Sequence, residues 1–324
     1  MAILHEQTAP AAQAAAAGPA PARTAAGYLR PPPGYAGALP AATPRVSVVI
    51  PARDEARNLP AVLGELPAGL HEVILVDGGS TDGTVETARR LRPDVTVVQQ
   101  TRRGKGNALV CGIAACTGDI AVTLDADYSA DPAEIAAFVA ALVDGADLVK
   151  GSRFLPGGGS TDLTALRRTG NRALLFLANL LYHSTFSDLC YGYNAFWLGC
   201  VDELALPSPD APEDQFGDGF EIETVLATHA ALARLEIAEV PSFERDRYFG
   251  TSNLHTFRDG WRVLHAILRE RRRARRPRTD AAEPYLAMAG SYAEVPQAAE
   301  VGGLYPAMAA AGAGMALAEA RKRP

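Results

Sequence analysis

The chain has 324 residues, 48% of them hydrophobic, with a formal net charge of −6. That apolar content can bury a sizeable core, while the acidic balance and the lack of a broad basic tract exclude general nucleic-acid binding, which needs cations along a phosphate backbone. The longest strongly apolar stretch, Ala173 to Tyr182, is about half of what a membrane-spanning helix requires, and Cys111, Cys116, Cys190 and Cys200 have no metal-type or redox-type spacing, so they read as buried thiols.

Residues 1–44 are mostly Ala, Pro and Gly and read as a disordered arm, since so few large aliphatics cannot offset the entropy of ordering. No basic start followed by an apolar run marks an export signal, which points to the cytoplasm. The first strand is predicted at Val46 to Ile50, ending at Pro51, with a helix following through about Leu66. Strand and helix then alternate: Glu72 to Val76 and Asp82 to Leu91, Val95 to Val98 and Gly106 to Ala115, Ile120 to Leu124 and Pro132 to Val143, then Leu148 to Lys150. Such alternation implies a mostly parallel sheet with helices on both faces, whose ligands bind in the loops beyond the carboxyl ends of the strands. From Pro277 the composition turns again to Ala, Gly and Pro, so a single domain over 45–276 is expected, with a low-complexity, mostly disordered tail over 277–324.

Each strand-end loop carries reactive residues. They are Pro51-Ala-Arg-Asp-Glu55, Asp77-Gly-Gly-Ser-Thr-Asp-Gly83, Arg102-Arg-Gly-Lys-Gly-Asn107 and Asp125-Ala-Asp127. Any one of them can be a turn or a helix cap, as Thr81 and Asp82 illustrate; four on one sheet edge point to a nucleotide site. The carboxylates of Asp125 and Asp127 suit a hard cation, Mg²⁺ or Mn²⁺, shared with substrate phosphates, and Lys105 between two glycines suits a diphosphate.

The segments V-S-V-V-I-P-A-R-D-E, V-D-G-G-S-T-D-G-T, G-K-G-N-A-L and D-A-D, in this order, resemble glycosyltransferase family 2. The later segments Gly151-Ser-Arg-Phe154, Asp188 to Asn194, Glu239-Val-Pro241, Arg247 and Gly250 to Leu254 resemble its polyprenyl-phosphate (dolichol-phosphate type) branch. The resemblance implies a GT-A, Rossmann-like fold and a metal-dependent, inverting transfer of sugar from a nucleotide diphosphate donor. It places Pro51, Arg53 and Glu55 along the nucleotide, Asp77 at the base edge, Lys105 at the diphosphate, and Asp125 and Asp127 on ribose and metal. Two positions depart from the family pattern: Gly78 stands where a second acid is usual, and Ser129 where mannosyltransferases carry Gln.

For the acceptor, the branch implies a polyprenyl phosphate, with Arg247 pairing to it at the inner face of a membrane. A phosphate acceptor is already ionised and needs no base; a soluble hydroxyl acceptor needs one, from Asp188, Glu221 or Glu223. Asp188 reads as base or as holder of the sugar hydroxyls, and Tyr191 to Trp197 as a cover for the sugar or as core. Glu221 and Glu223 equally suit a helix start, His255 either a metal shell or a cap, and Arg167, Arg168, Arg172 and Arg245 either an acceptor phosphate or solvent. Phe257, Trp261, Leu264 and Leu268 form a helical stripe running into arginines, which either packs on the domain or docks on an anionic membrane. A sugar-nucleotide binding protein without transferase activity is the remaining alternative, and the retained D-A-D and Lys105 weigh against it.

Overall fold

The computed structural model describes residues 44–161, 165–250 and 256–274. The expectations for the two termini and for His255 lie outside the described residues.

The first strand, β1 (Val46–Ala52), is followed by α1 (Leu59–Gly64), β2 (Glu72–Asp77), α2 (Thr84–Leu91), β3 (Thr96–Gln99), α3 (Lys105–Ala114) and β4 (Ile120–Thr123). Then come α4 (Ile135–Val143), β5 (Leu148–Ser152), β6 (Gly159–Ser160), α5 (Ala165–Tyr182), β7 (Asn194–Trp197) and α6 (Val201–Leu204). The last elements are α7 (Ile222–Leu232), β8 (Ile237–Pro241), β9 (Phe243–Glu244) and α8 (Thr256–Ala274). The alternating elements expected from the sequence are all present, with boundaries displaced by a few residues.

The displacements have local causes. β1 runs two residues beyond Ile50 because Pro51 does not interrupt it: Val49 O accepts from Leu124 on the β4 side and Ala52 O from Gly78 on the β2 side. Alternation then turns Pro51 toward β4, past the last paired residue of that strand, where a missing N–H costs nothing. Asp82 accepts from Thr84 N–H at 3.0 Å, so α2 begins after it rather than at it. Residues Pro132–Glu134 form a 3-10 turn ahead of α4, with Asp131 accepting from Ala133 N–H.

Seven strands form one sheet in the order β3-β2-β1-β4-β7-β5-β8, and β6 pairs with β9 beside it. β3, β2, β1 and β4 are mutually parallel, as are β5 and β8, while β7 runs antiparallel between β4 and β5. Successive β1 residues serve opposite faces: Val48 and Ile50 pack in one cluster with Leu59 of α1 and Phe138 of α4, Val49 in another with Leu109 and Ile113 of α3 and Leu226 of α7. A third cluster, with Leu175, Ala178 and Tyr182 of α5 and Val263 and Ile267 of α8, extends the domain beyond β5. The chain leaves β1 toward β2 and later returns beside it as β4, so a crevice opens at that reversal. Because β7 is antiparallel, the residues that precede it, not those that follow it, reach the same edge.

Candidate active site

The loops after β1 and β2 hold each other. Asp54, in left-handed backbone at φ 56°, accepts from Thr81 N–H at 2.8 Å, and Asp82 accepts from Ala56 N–H at 3.0 Å. Asp77 is buried and turned into its own loop, accepting from the N–H groups of Gly79 at 3.2 Å and Ser80 at 3.1 Å. Burial pushes its pKa up, but the hydrogen bonds from Ser80, Gln99 and Gly79 outweigh that and leave it below the ordinary aspartate value. Its side chain therefore shapes the loop that the sequence assigns to the base edge. At Gly78, a Cβ would stand 3.1 Å from Arg53 Cβ and 3.3 Å from Gln100 Oε1, so the position where the family usually has an acid is already crowded. Arg53 is exposed and Glu55 half-buried; burial raises the Glu55 pKa against the hydrogen bond from Asn58.

The glycines around Lys105 serve packing rather than phosphate access. A Cβ on Gly104 would lie 2.0 Å from Asp218 O, and one on Gly106 1.7 Å from Gly217 O. The segment before α7 thus lies directly on the start of α3, and Arg102 fastens it with two 2.8 Å bonds to Asp218. Lys105 itself reaches across, with Nζ 2.7 Å from Asp125 Oδ1 and 3.1 Å from Glu223 Oε1. Burial works to lower its pKa, but the two carboxylates reverse the sign, so it stays protonated. Burial raises Asp125, opposed by Lys105 and reinforced by Asp127.

Asp125, Asp127, Lys105 and Ser129 share a cavity of about 320 Å³ with Arg153, Tyr191, Glu223, Glu244, Arg245, Asp246 and Arg247. Asp127 accepts from Ser129 N–H at 2.9 Å and from Arg247 at 3.1 Å. Arg245 pairs with Asp131 and lies over the Tyr128 ring, 5.4 Å from its centroid. Arg247 is thus held in the cavity lining by its pair with Asp127. Among the described residues no three His, Cys, Asp or Glu side chains gather as a metal-ligand set. Two carboxylates with substrate oxygens completing the shell are what Mg²⁺ or Mn²⁺ accepts, so the residues present fit such an ion at Asp125 and Asp127.

Asp188 requires a correction. It is fully buried, absent from the cavity lining, and both of its oxygens are taken by Arg153, at 2.6 and 3.0 Å. A carboxylate so enclosed reaches neither a proton nor a sugar hydroxyl; it aims Arg153, whose remaining arm holds Glu244 at 2.9 Å. Glu221 accepts from Gly217 and Gly219 N–H, and Glu223 from Asn194 Nδ2 at 2.8 Å. Of the aromatic run, Tyr193 stacks on Phe138 and Phe196 is core, while Tyr191 lines the cavity. Arg168 and Arg172 are exposed on α5. Arg153, Glu244 and Asp246 carried no assigned role in the sequence; for the last two, the charged run Glu244-Arg-Asp-Arg247 was the available signal.

An open α/β sheet with paired carboxylates and a lysine at its reversal point defines a nucleotide-sugar type of site. Comparison with known proteins agrees. The profile of glycosyl transferase family 2 matches residues 47–202. The undecaprenyl-phosphate mannosyltransferase of Micrococcus luteus is 32% identical over 219 residues, 65% of this chain and 87% of that protein. The polyprenol monophosphomannose synthase of Mycolicibacterium smegmatis is 31% identical over 226 residues, 65% and 82% of the two chains. An uncharacterized glycosyltransferase of Mycobacterium tuberculosis is 43% identical over 108 residues, 33% of this chain; the match spans about half of that relative, 48%. The solved glucosyl-3-phosphoglycerate synthase of Mycobacterium tuberculosis, in complex with Mn²⁺, UDP and glucosyl-3-phosphoglycerate, superposes with a TM-score of 0.53 at 23% identity, over 75% of this chain and 88% of that one. The chain belongs to glycosyl transferase family 2 and has its GT-A fold.

Proposed function

We propose that this protein transfers a sugar, with inversion, from a nucleoside diphosphate donor to a polyprenyl phosphate. Pro51, Arg53 and Glu55 would line the nucleoside, with Asp77 holding the shape of that pocket from behind. Asp125 and Asp127 would hold Mg²⁺ or Mn²⁺, which when bound neutralises charge developing on the departing diphosphate. Lys105 faces the same oxygens from the other side, and its protonated state suits that task. Attack from the acceptor side, opposite the leaving group, gives inversion.

The observation that carries the acceptor class is the state of the carboxylates. Asp188, Glu221, Glu223 and Glu244 are each committed to a cation, an amide or a backbone N–H, while Arg153, Arg245 and Arg247 line the cavity. An acceptor that needs cations and no base is a phosphate. The relatives named for undecaprenyl phosphate and polyprenol support the lipid form. A second reading rests on Asp246, an exposed carboxylate in the cavity lining bonded to the Thr161 hydroxyl at 2.9 Å; it would serve as base toward a soluble hydroxyl acceptor. Radiolabelled nucleotide sugars offered with polyprenyl phosphate or with soluble acceptors separate the two. Lipid-soluble label lost in Arg247→Ala and retained in Asp246→Ala is expected; water-soluble label that depends on Asp246 would overturn the lipid reading.

The membrane-surface reading has its own support. No helix among the described residues is long and apolar enough to cross a bilayer. In α8 the side chains packed on the domain are Val263, Ala266 and Ile267, so Trp261, 70% exposed, and Leu268 face outward with Arg272 and Arg273 exposed nearby. Phe176 and Leu180, one turn apart on α5, are also exposed. Outward apolar side chains beside arginines suit an anionic lipid surface, each basic residue contributing about 1 kcal/mol. Co-sedimentation with anionic but not neutral vesicles, weakened by Trp261→Ala, is the expected result.

A further inference from the structure

One buried charge that donor and acceptor binding leave without a task is Lys150. It lies in β5, between β7 and β8, and is 0% exposed. Removing an ammonium from water is expensive, so its partners matter. Its Nζ donates to Asn194 Oδ1 at 2.8 Å. Burial depresses its pKa, opposed by the charges of Glu223, Asp188 and Glu239.

An asparagine amide has an acceptor end and a donor end. With the oxygen of Asn194 held by Lys150, its nitrogen must point the other way, and there it donates to Glu223 Oε2 at 2.8 Å. Flipping the amide would set N–H groups against the ammonium and oxygen against the carboxylate, two repulsions at once. Glu223 in turn presents Oε1 to Lys105 at 3.1 Å, and Lys105 meets both oxygens of Asp125, at 2.7 and 2.9 Å. Asn194 is 0% and Glu223 3% exposed, so water does not screen the chain of contacts. Gly192 closes it from one side, since a Cβ there would stand 2.4 Å from Lys105 Nζ and 3.1 Å from Glu223 Oε1.

We propose that Lys150 is a positioning residue for the donor site: by fixing the Asn194 amide it orients Glu223, which together with Asp125 holds the Lys105 ammonium in place beside the carboxylate pair. The proposal rests on the reading of Asp125 and Lys105 as the diphosphate end of the site. Without Lys150 the amide is free to flip, Glu223 loses its donor, and Lys105 loses one of the two carboxylates that fix it at the diphosphate end of the site.

Two variants test this. Lys150→Met removes the charge at nearly constant volume, and Asn194→Asp gives Lys150 an ion pair while withdrawing the donor from Glu223. Mn²⁺ binding is read by the electron paramagnetic resonance of the free ion, and UDP and GDP binding with Mn²⁺ by calorimetry. Each variant is expected to weaken Mn²⁺ and nucleotide binding about tenfold, the size typical of an outer-shell partner, with the acceptor KM unchanged. The double variant is expected to bind no more weakly than Asn194→Asp alone, because the two residues act in series. Affinities within about twofold of wild type in folded Asn194→Asp, or penalties that add in full, would overturn the proposal. If Lys150→Met does not fold, Asn194→Asp alone decides. A wild-type chain that binds neither Mn²⁺ nor either nucleotide would instead overturn the donor-site reading beneath it.

Discussion

The two halves of the cavity are built by different means. Over β1, β2 and β4, the carboxylates of Asp54, Asp77 and Asp82 are spent on backbone N–H groups of the loops, and the sheet beneath is largely apolar, with Ser47 and Thr123 buried in it. Under β5 and β7 the interior itself is polar and charged: Lys150, Asp188, Asn194 and Glu223 are buried together, with Arg153 and Glu239 bound to them. Locally capped loops can adapt to a ligand at small cost. A buried ionic network cannot, because shifting one member strands another in a low dielectric. The loops over β1, β2 and β4 are thus suited to adjusting around a ligand, and the network under β5 and β7 to holding cations at fixed positions.

The largest effect that sharpens this contrast is expected at Asp127→Ala. Turnover and Mn²⁺ dependence should be lost while the melting temperature stays near that of wild type, since a strand-end loop residue carries little packing; full activity in excess chelator would remove the metal from the donor side. Next comes Arg102→Met, which strands Asp218 beneath the site and should destabilise by about 3–5 kcal/mol, measured by urea unfolding; a change under about 1 kcal/mol would show that this pair behaves as a surface one. Gly192→Ala should lower kcat/KM by about tenfold or more through displaced Lys105, at little cost in stability; unchanged kinetics would mean that Lys105 has room to spare.

The smallest effect concerns the far edge. Glu270 accepts from His229 at 2.9 Å and ties α8 to α7. Burial raises its pKa, but the His229 hydrogen bond and the charges of His229, Arg273 and Arg269 take it below the ordinary glutamate value. A carboxylate with a depressed folded-state pKa contributes fully above its unfolded value, near 4.3, and loses that contribution as pH falls through the folded value. Glu270→Gln should therefore cost about 2 kcal/mol at neutral pH and progressively less below about pH 4, followed by chemical denaturation across that range. A penalty independent of pH would assign the loss to packing.

The same contrast governs what the sequence discloses. Donor-side chemistry lies in contiguous loops after β-branched strands, so strand ends, Lys105, Asp125 and Asp127 can be read from periodicity and short motifs. The chemistry under β5 and β7 depends on partners far apart in the chain, such as Arg153 with Asp188 and Glu244, or Lys150 with Asn194 and Glu223. No spacing rule announces these pairs, and a lysine ending a short apolar strand reads as a strand terminus rather than a buried cation. Asp188 was misread for the same reason: its motif is visible, but the guanidinium that encloses it is not. The stripe of α8 was visible as a period, yet which side of it meets the domain depended on α5 and α7.

The antiparallel strand β7 carries one more consequence, for assembly. β4 and β5 never touch each other; Asn194–Trp197 pairs with both, so this strand alone welds a four-stranded piece to a two-stranded one. A chain ending before Asn194 would leave β4 and β5 each with a row of unpaired N–H and C=O groups in the middle of what should be continuous sheet. Such edges recruit strands from other molecules. Nascent or clipped chains lacking β7 are therefore the species from which aggregation of this protein should begin, and its soluble yield should depend on how quickly those four residues find their slot.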